Sequence, residues 1–189
     1  MGLLLLAIPA GYLAGLVRSW INRSSYDVGE LRYPWLALIA FLPQFFAFQL
    51  PATRSRLPDE LAAVALVVSQ LLLVFFAWEN RQQPCFWLLG CGLLLNLTAI
   101  VLNGGLMPMS PETVARLIPE LPPETWISGE RFGHGKDILL AAGEARLWWL
   151  GDRFLLPAWF PYRAAYSIGD IFIAAGVFWL FWTAGRQRK

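Results

Sequence analysis

LGDRFLLPAWFPYRAAYSIGDIFIAAGVFWLFW, residues 150–182, contains the features from which we predict the fold class. Its second half is an apolar run long enough to cross a bilayer. Two aspartates, Asp152 and Asp170, each follow a glycine, and the second stands at the mouth of that run. A carboxylate at the end of a membrane helix is unfavourable, so such residues are usually paired or functional. The stretch therefore predicts a membrane protein with a polar site near one surface of the bilayer.

The composition of the whole chain agrees with a membrane protein. Of the 189 residues, 57% are hydrophobic and only 15% are charged, and the mean hydropathy is +0.51. A net charge of +2 without a basic stripe argues against a nucleic-acid partner and leaves the lipid bilayer as the expected one. The single histidine, His134, is too few for a multi-histidine metal site. No residue pattern indicates a particular cofactor.

Five apolar runs predict an all-α fold in one integral membrane domain, residues 1–189. Amides inside these runs, Gln44, Gln70 and Asn96, are expected to form hydrogen bonds between helices. The predicted spans are residues 2–17, 35–50, 61–78, 85–102 and 167–184, and a long loop, residues 106–165, separates the last two.

The long loop is expected to be partly interfacial. Ser110, Pro111 and Glu112 predict a short helix to about Ile118, because they suit the N-cap and first turn of a helix. Residues 147–160 mix charges with tryptophan and phenylalanine. We expect this stretch to lie along the headgroup layer and not to cross it.

The distribution of arginine and lysine predicts the orientation. With the C-terminus in the cytoplasm, the inner segments carry seven of these charges and the one short outer loop carries two, Arg54 and Arg56. Positive charges favour the cytoplasmic side. We therefore expect a multi-pass protein of the cell membrane with its N-terminus outside and the long loop facing outward.

This topology predicts a polar cluster at the outer face. Asn103 ends the fourth span, Asp170 opens the fifth, and Asp152 precedes it by 18 residues. Two carboxylates held close can share a proton and activate water, which is the chemistry of an aspartic peptidase. In a structural alternative, Arg153 or Arg163 pairs with a carboxylate, or Asp170 caps its own helix. Both alternatives stay open.

The strings NGGLMPMSPE at residues 103–112, LGD at 150–152 and SIGD at 167–170 resemble an uncharacterised family of small bacterial multi-pass membrane proteins. The resemblance covers most of the chain. It implies a membrane fold but no particular activity.

A second resemblance is to the lipoprotein signal peptidase, an aspartic enzyme of the membrane. Asn103-Gly104-Gly105 is similar to its Asn-x-Gly motif, Asp152-Arg153 to its Asp-Arg pair, and Ser167-Ile168-Gly169-Asp170 to its Asn-x-Ala-Asp motif. The resemblance implies that Asp152 and Asp170 are catalytic. It also implies that the binding surface is formed by the residues of the matching motifs: Asn103, Gly104, Gly105, Arg153 and Ser167. Ser167 and Gly151 depart from the asparagines of the peptidase pattern.

Three functions follow from these observations. The first is a non-enzymatic accessory subunit that docks other membrane subunits through its aromatic faces, and we favour it because the peptidase pattern is incomplete. The second is an aspartic peptidase-like hydrolase at the outer face that uses Asp152 and Asp170. The third is a small transporter, which ranks lowest because no predicted span carries a charge at mid-depth.

Overall fold

The computed structural model describes residues 2–122, 126–141, 143–157, 159–160 and 162–184. This part of the chain is mostly helical, with two small sheets. The helices are α1 (Gly2–Ile21), α2 (Pro34–Gln44), α3 (Pro51–Arg54), α4 (Asp59–Glu79), α5 (Cys85–Leu102), α6 (Pro111–Leu117) and α7 (Ile168–Thr183). A π-helical turn, Phe45–Gln49, continues α2 just beyond Pro43.

Three helices of the described chain, α1, α4 and α5, are long and apolar enough to cross a bilayer. Two shorter apolar segments, Pro34–Gln49 and Ile168–Thr183, accompany them. The helix α5 packs against α4 and α7, while α1 covers the other side of α7 and α2 the other side of α4. The protein is therefore a helical membrane protein built around the α4–α5–α7 contact.

The helices match the predicted spans closely. The fourth span, Cys85–Leu102, has the bounds predicted for it. The first helix runs four residues beyond the predicted end at Val17, because the charge of Arg18 does not stop it. The guanidinium of Arg18 lies 4.6 Å from the centre of the Trp182 ring on α7, so helix packing accommodates the charge.

The segment between α5 and α7 adds two small sheets, which the sequence did not predict, to a mostly helical fold. Strands β1 (Met107–Met109) and β2 (Asp137–Leu139) pair in parallel, and β3 (Phe154–Leu155) and β4 (Ala165–Tyr166) pair antiparallel. Strands of two or three residues are too short to show an alternating pattern in sequence. The described residues between 106 and 166, named the cap below, therefore include two small sheets and α6, with Ser110 as the N-cap of α6, as predicted.

The cap packs directly on the ends of the helices. Leu106, Met107 and Leu150 share one buried cluster with Leu66 of α4 and Ile100 of α5. A buried arginine adds polar contacts: the Arg131 guanidinium binds the carbonyls of Gly135, His134 and Ala47, at 2.6, 2.8 and 3.3 Å. It also lies 3.3 Å from the Asp59 carboxylate at the start of α4. The cap is thus held to the helices by a core as well as by charge.

Candidate functional site

A buried ion pair between Lys136 and Asp152 lies at the junction of cap and helices. The Lys136 ammonium is 2.5 Å from Oδ2 of Asp152 and 3.2 Å from Oδ1 of Asp137. Strand β1 positions both partners, because the Met107 N–H donates to the Lys136 carbonyl and the Asp152 N–H donates to the Pro108 carbonyl. The pair is thus fixed by backbone pairing on both sides of one short strand.

Burial and charge act against each other at this pair. The Asp152 side chain is 1% exposed and that of Lys136 is 27% exposed. Burial raises the pKa of Asp152 to about 7, although the Lys136 ammonium opposes the rise. Burial alone would lower the pKa of Lys136, but the carboxylates of Asp137, Asp152 and Asp170 outweigh it and raise that pKa. Lys136 therefore keeps its charge at neutral pH, and the pKa of Asp152 lies above the ordinary value of a carboxyl group.

The second aspartate, Asp170, takes part in the hydrogen bonds at the N-terminus of α7. Ser167 accepts from the Asp170 N–H at 3.0 Å, and Asp170 accepts from the Ser167 N–H at 3.3 Å, which completes a capping box. Asn96 of α5 donates to Asp170 at 2.8 Å and accepts from the Ser167 hydroxyl at 2.7 Å. The helix-capping role that the sequence offered for Asp170 is present in the structure.

A cavity of about 220 Å³ lies among the helices beneath the cap, and we name it the helix cavity. Apolar side chains from α1, α2, α4, α5 and α7 form most of its wall. Polar groups line it too: Gln44, Gln70, Asn96, Lys136 and Asp170. Gln44 donates to Ser69 at 2.6 Å, so it links α2 to α4 as expected for an amide inside a span. Oε1 of Gln70 is buried and meets no hydrogen-bond donor in the described chain.

The remaining predicted site residues have other contacts. Asn103 donates to the carbonyls of Ala99 and Arg146, at 2.7 and 2.8 Å, and accepts from the Arg146 N–H. Gly104 and Gly105 turn the chain with φ values of +78° and +88°. Asn103 therefore links the cap to the end of α5. The amide that donates to Asp170 is that of Asn96, and not that of Asn103 as predicted.

Neither candidate arginine bridges the two aspartates. Arg153 stacks on the Trp148 ring, with its guanidinium 4.7 Å from the ring centre. Arg163 pairs with Glu120 at 2.7 Å on the surface. Lys136, which the sequence analysis did not single out, is the cation between cap and helices. One signal could have revealed it, since only two of the 15 lysines and arginines are lysines, Lys136 and Lys189.

The hydrogen bonds of the two aspartates differ from those of a proton-sharing dyad. A dyad needs two carboxylates that share a proton and activate a water. Here the Asp152 carboxylate is held by an ammonium, and the Asp170 carboxylate is held by an amide and a backbone N–H. Among the polar side chains that line the helix cavity, Gln70 has a carbonyl oxygen that meets no hydrogen-bond donor in the described chain.

Comparison with known families shows the family of this chain. The model of a family of unknown function, DUF5317, matches residues 29–182. The chain belongs to the DUF5317 family. The match runs from the loop before α2 almost to the end of α7, so the DUF5317 region contains the cap, the ion pair and Asp170. No curated protein and no solved structure matches the chain.

Proposed function

We propose that this DUF5317 protein is a non-enzymatic membrane protein that binds an amphipathic ligand in the helix cavity. The observation that carries the proposal is the unpartnered Gln70 carbonyl in a cavity that also exposes Lys136 and Asp170. An apolar cavity with a few convergent polar groups is the usual form of a small-molecule site. Its mostly apolar wall suits the hydrocarbon part of a ligand, and the Gln70 carbonyl suits a hydroxyl or amine donor.

The proposal includes five membrane spans, with the cap and the aspartates at the outer face of the cell membrane. Support comes from the arginine and lysine distribution and from the two shorter apolar segments beside the three long helices. A helix of 16 residues rises only about 24 Å, so Pro34–Gln49 and Ile168–Thr183 would need flanking residues to cross about 30 Å of hydrocarbon. In this orientation, residues 147–160 lie along the outer headgroup layer.

An aspartic peptidase-like hydrolase is the second candidate. The observation in its favour is the raised pKa of Asp152, which burial causes and to which the charge of Asp170 adds. The Lys136 ammonium at 2.5 Å is the observation against it. Hydrolysis of a lipid-linked peptide by the purified protein, lost in Asp152→Asn and in Asp170→Asn, would favour the peptidase. Docking of other membrane subunits and small-molecule transport stay predictions.

The test of the binding proposal is native mass spectrometry of the full chain, extracted with its surrounding lipid. We expect a bound amphipathic species with the native protein and its loss in Gln70→Met. That substitution keeps the side-chain volume and removes a buried acceptor without a partner, so the thermal midpoint should stay level or rise. If Gln70→Met retains less of the bound species at an unchanged thermal midpoint, the loss is a loss of binding and not of folding.

Gln82→Met is the matched control, because Gln82 is exposed in the turn between α4 and α5. It should retain the same species as the native protein. Equal retention by the native protein and Gln70→Met would overturn the proposal, as would the absence of any retained species from all three proteins.

A further inference from the structure

A second cavity, about 250 Å³, lies within the cap, and we name it the cap cavity. Its wall includes the end of β1, the first turns of α6 and the turn before β3. Charged and aromatic groups line it: Glu112, Arg116, Trp148, Asp152 and Arg153. Asp152 thus lines the cap cavity while its partner Lys136 lines the helix cavity.

Asp152, in the wall of the cap cavity, has one carboxylate oxygen without a partner among the described residues. Asp152 is almost fully buried, and its Oδ1 has no hydrogen-bond partner in the described chain. An ammonium at 2.5 Å satisfies only the other oxygen, Oδ2. Around that single ammonium lie three carboxylates, those of Asp137, Asp152 and Asp170, so the local charge favours one more cation. A buried carboxylate oxygen without a donor is unfavourable by itself.

A ligand ammonium fits this need better than a metal ion. No group of three or more histidine, cysteine, aspartate or glutamate side chains in the described chain is arranged to hold a metal. Asp152 offers one free oxygen, and a primary ammonium can donate one hydrogen bond to it and leave two for other acceptors. Oδ1 of Asp152 therefore suits a cation that can donate an N–H hydrogen bond.

The other groups in the wall suit an anion. Arg116 and Arg153 both line the cap cavity, and no hydrogen bond or ion pair joins either guanidinium to another described side chain. The Trp148 ring holds Arg153 by stacking, which leaves its planar N–H edge for an oxyanion. Two guanidinium groups beside one cavity match a phosphate or carboxylate through paired hydrogen bonds.

From these observations we propose that the cap cavity binds a small zwitterion, its primary ammonium at Asp152 and its anionic group at Arg116 and Arg153. Phosphoethanolamine has this chemistry, either as a free compound or as the headgroup of a lipid. The site is separate from the helix cavity, so the proposal does not rest on the binding function proposed above.

Titration calorimetry of the full chain in phosphatidylglycerol nanodiscs tests the proposal, because that lipid carries no ammonium group. Phosphoethanolamine is the probe, and ethanolamine, inorganic phosphate and phosphocholine are the comparison compounds. We expect phosphoethanolamine to bind at least about tenfold more tightly than each comparison compound, since each lacks one charge or the N–H donors. Arg116→Gln and Arg153→Gln should each weaken it by about tenfold or more.

Arg163→Gln is the matched control, because Arg163 pairs with Glu120 on the surface and does not line the cap cavity. It should leave the affinity unchanged. Asp152→Asn unpairs Lys136 and could fail to fold, so Ala145→Leu, which fills the cavity from its wall, is the second test of location and should abolish binding.

Adding phosphatidylethanolamine to the nanodiscs distinguishes the two sources of the zwitterion. Competition with free phosphoethanolamine identifies the lipid headgroup, and an unchanged affinity identifies the free compound; either result supports the site. Equal affinities for phosphoethanolamine and ethanolamine, or unchanged binding in both arginine variants, would overturn it.

Discussion

Lys136 is the residue on which the polar site depends. It lies in a Gly-rich turn of the cap, yet its ammonium reaches the wall of the helix cavity and neutralises Asp152. Its removal would leave a carboxylate that is 1% exposed without its cation. Breaking a buried pair by removing one partner is strongly destabilising, whereas exposed pairs contribute little. Removing one partner should therefore lower the stability more for the Lys136–Asp152 pair than for the exposed Arg163–Glu120 pair.

We predict that Lys136→Met lowers the free energy of unfolding by about 3 kcal/mol near neutral pH. The pKa of Asp152 is raised from 3.8 to about 7, so its contribution to stability is present at acid pH and is lost as the pH rises through about 7. Without Lys136 the ionised form is less favourable still, so the loss should be larger at about pH 8 than at about pH 5. Denaturant unfolding at both pH values measures this.

Arg163→Gln serves as the control for that measurement and should change the free energy of unfolding by less than about 1 kcal/mol. A loss in Lys136→Met that does not depend on pH would contradict the assignment of Asp152 as the titrating partner.

Among the elements, the contact between α5 and α7 positions Asp170. The two helices approach so closely at Gly92 that a Cβ there would meet the Gly169 carbonyl and, at 2.8 Å, the Ile173 nitrogen. Small residues permit such close approach between membrane helices. One turn along α5, Asn96 then reaches both Ser167 and Asp170. The close contact at Gly92 and the hydrogen bonds of Asn96 with Ser167 and Asp170 thus have the same cause, the short distance between α5 and α7.

Gly92→Ala should therefore destabilise the protein by about 1–3 kcal/mol, because the added methyl group meets backbone that cannot move aside alone. Gly90→Ala is a matched control two residues away on the same helix. A Cβ at Gly90 would meet only the Ala77 methyl, at 3.6 Å, which is an ordinary contact. Thermal unfolding of both variants in the same detergent measures the difference, and equal midpoints would show that the helices are not packed this closely.

For the whole molecule, the main feature is a cap that is built into the helical core. Its residues share one buried cluster with α4 and α5. Asp152 lines the cap cavity, and its partner Lys136 lines the helix cavity. A ligand in either cavity would act on the same buried charges. The orientation of the chain decides which compartment the cap cavity faces.

We predict that cysteines introduced at Ser55 and Ser128 react with a membrane-impermeant maleimide added outside intact cells. A cysteine at Gln82 should react only after the membrane is opened. The measurement uses a background of Cys85→Ala and Cys91→Ser, which removes the native thiols. Labelling of Gln82→Cys alone in intact cells would reverse the orientation and place the cap in the cytoplasm.

The membrane class and the approximate bounds of the long helices were predictable from the amino-acid sequence. Apolar runs are long and locally patterned, so the bounds of α5 were predictable, and so was the N-cap at Ser110. Asp152 and Asp170 could be selected because a carboxylate beside an apolar run stands out in composition. The capping role of Asp170 was also predictable, since Ser167 lies three residues before it.

Which polar groups meet depends on contacts that form only in the folded chain. Strand β1 pairs with residues about thirty positions further along the chain, and this pairing brings Lys136 to Asp152. Asn96 replaces Asn103 at Asp170 because the glycine contact brings α5 and α7 together one turn below. Such partners lie far apart in sequence and leave no local pattern, because the pairing free energy depends on backbone register and helix distance.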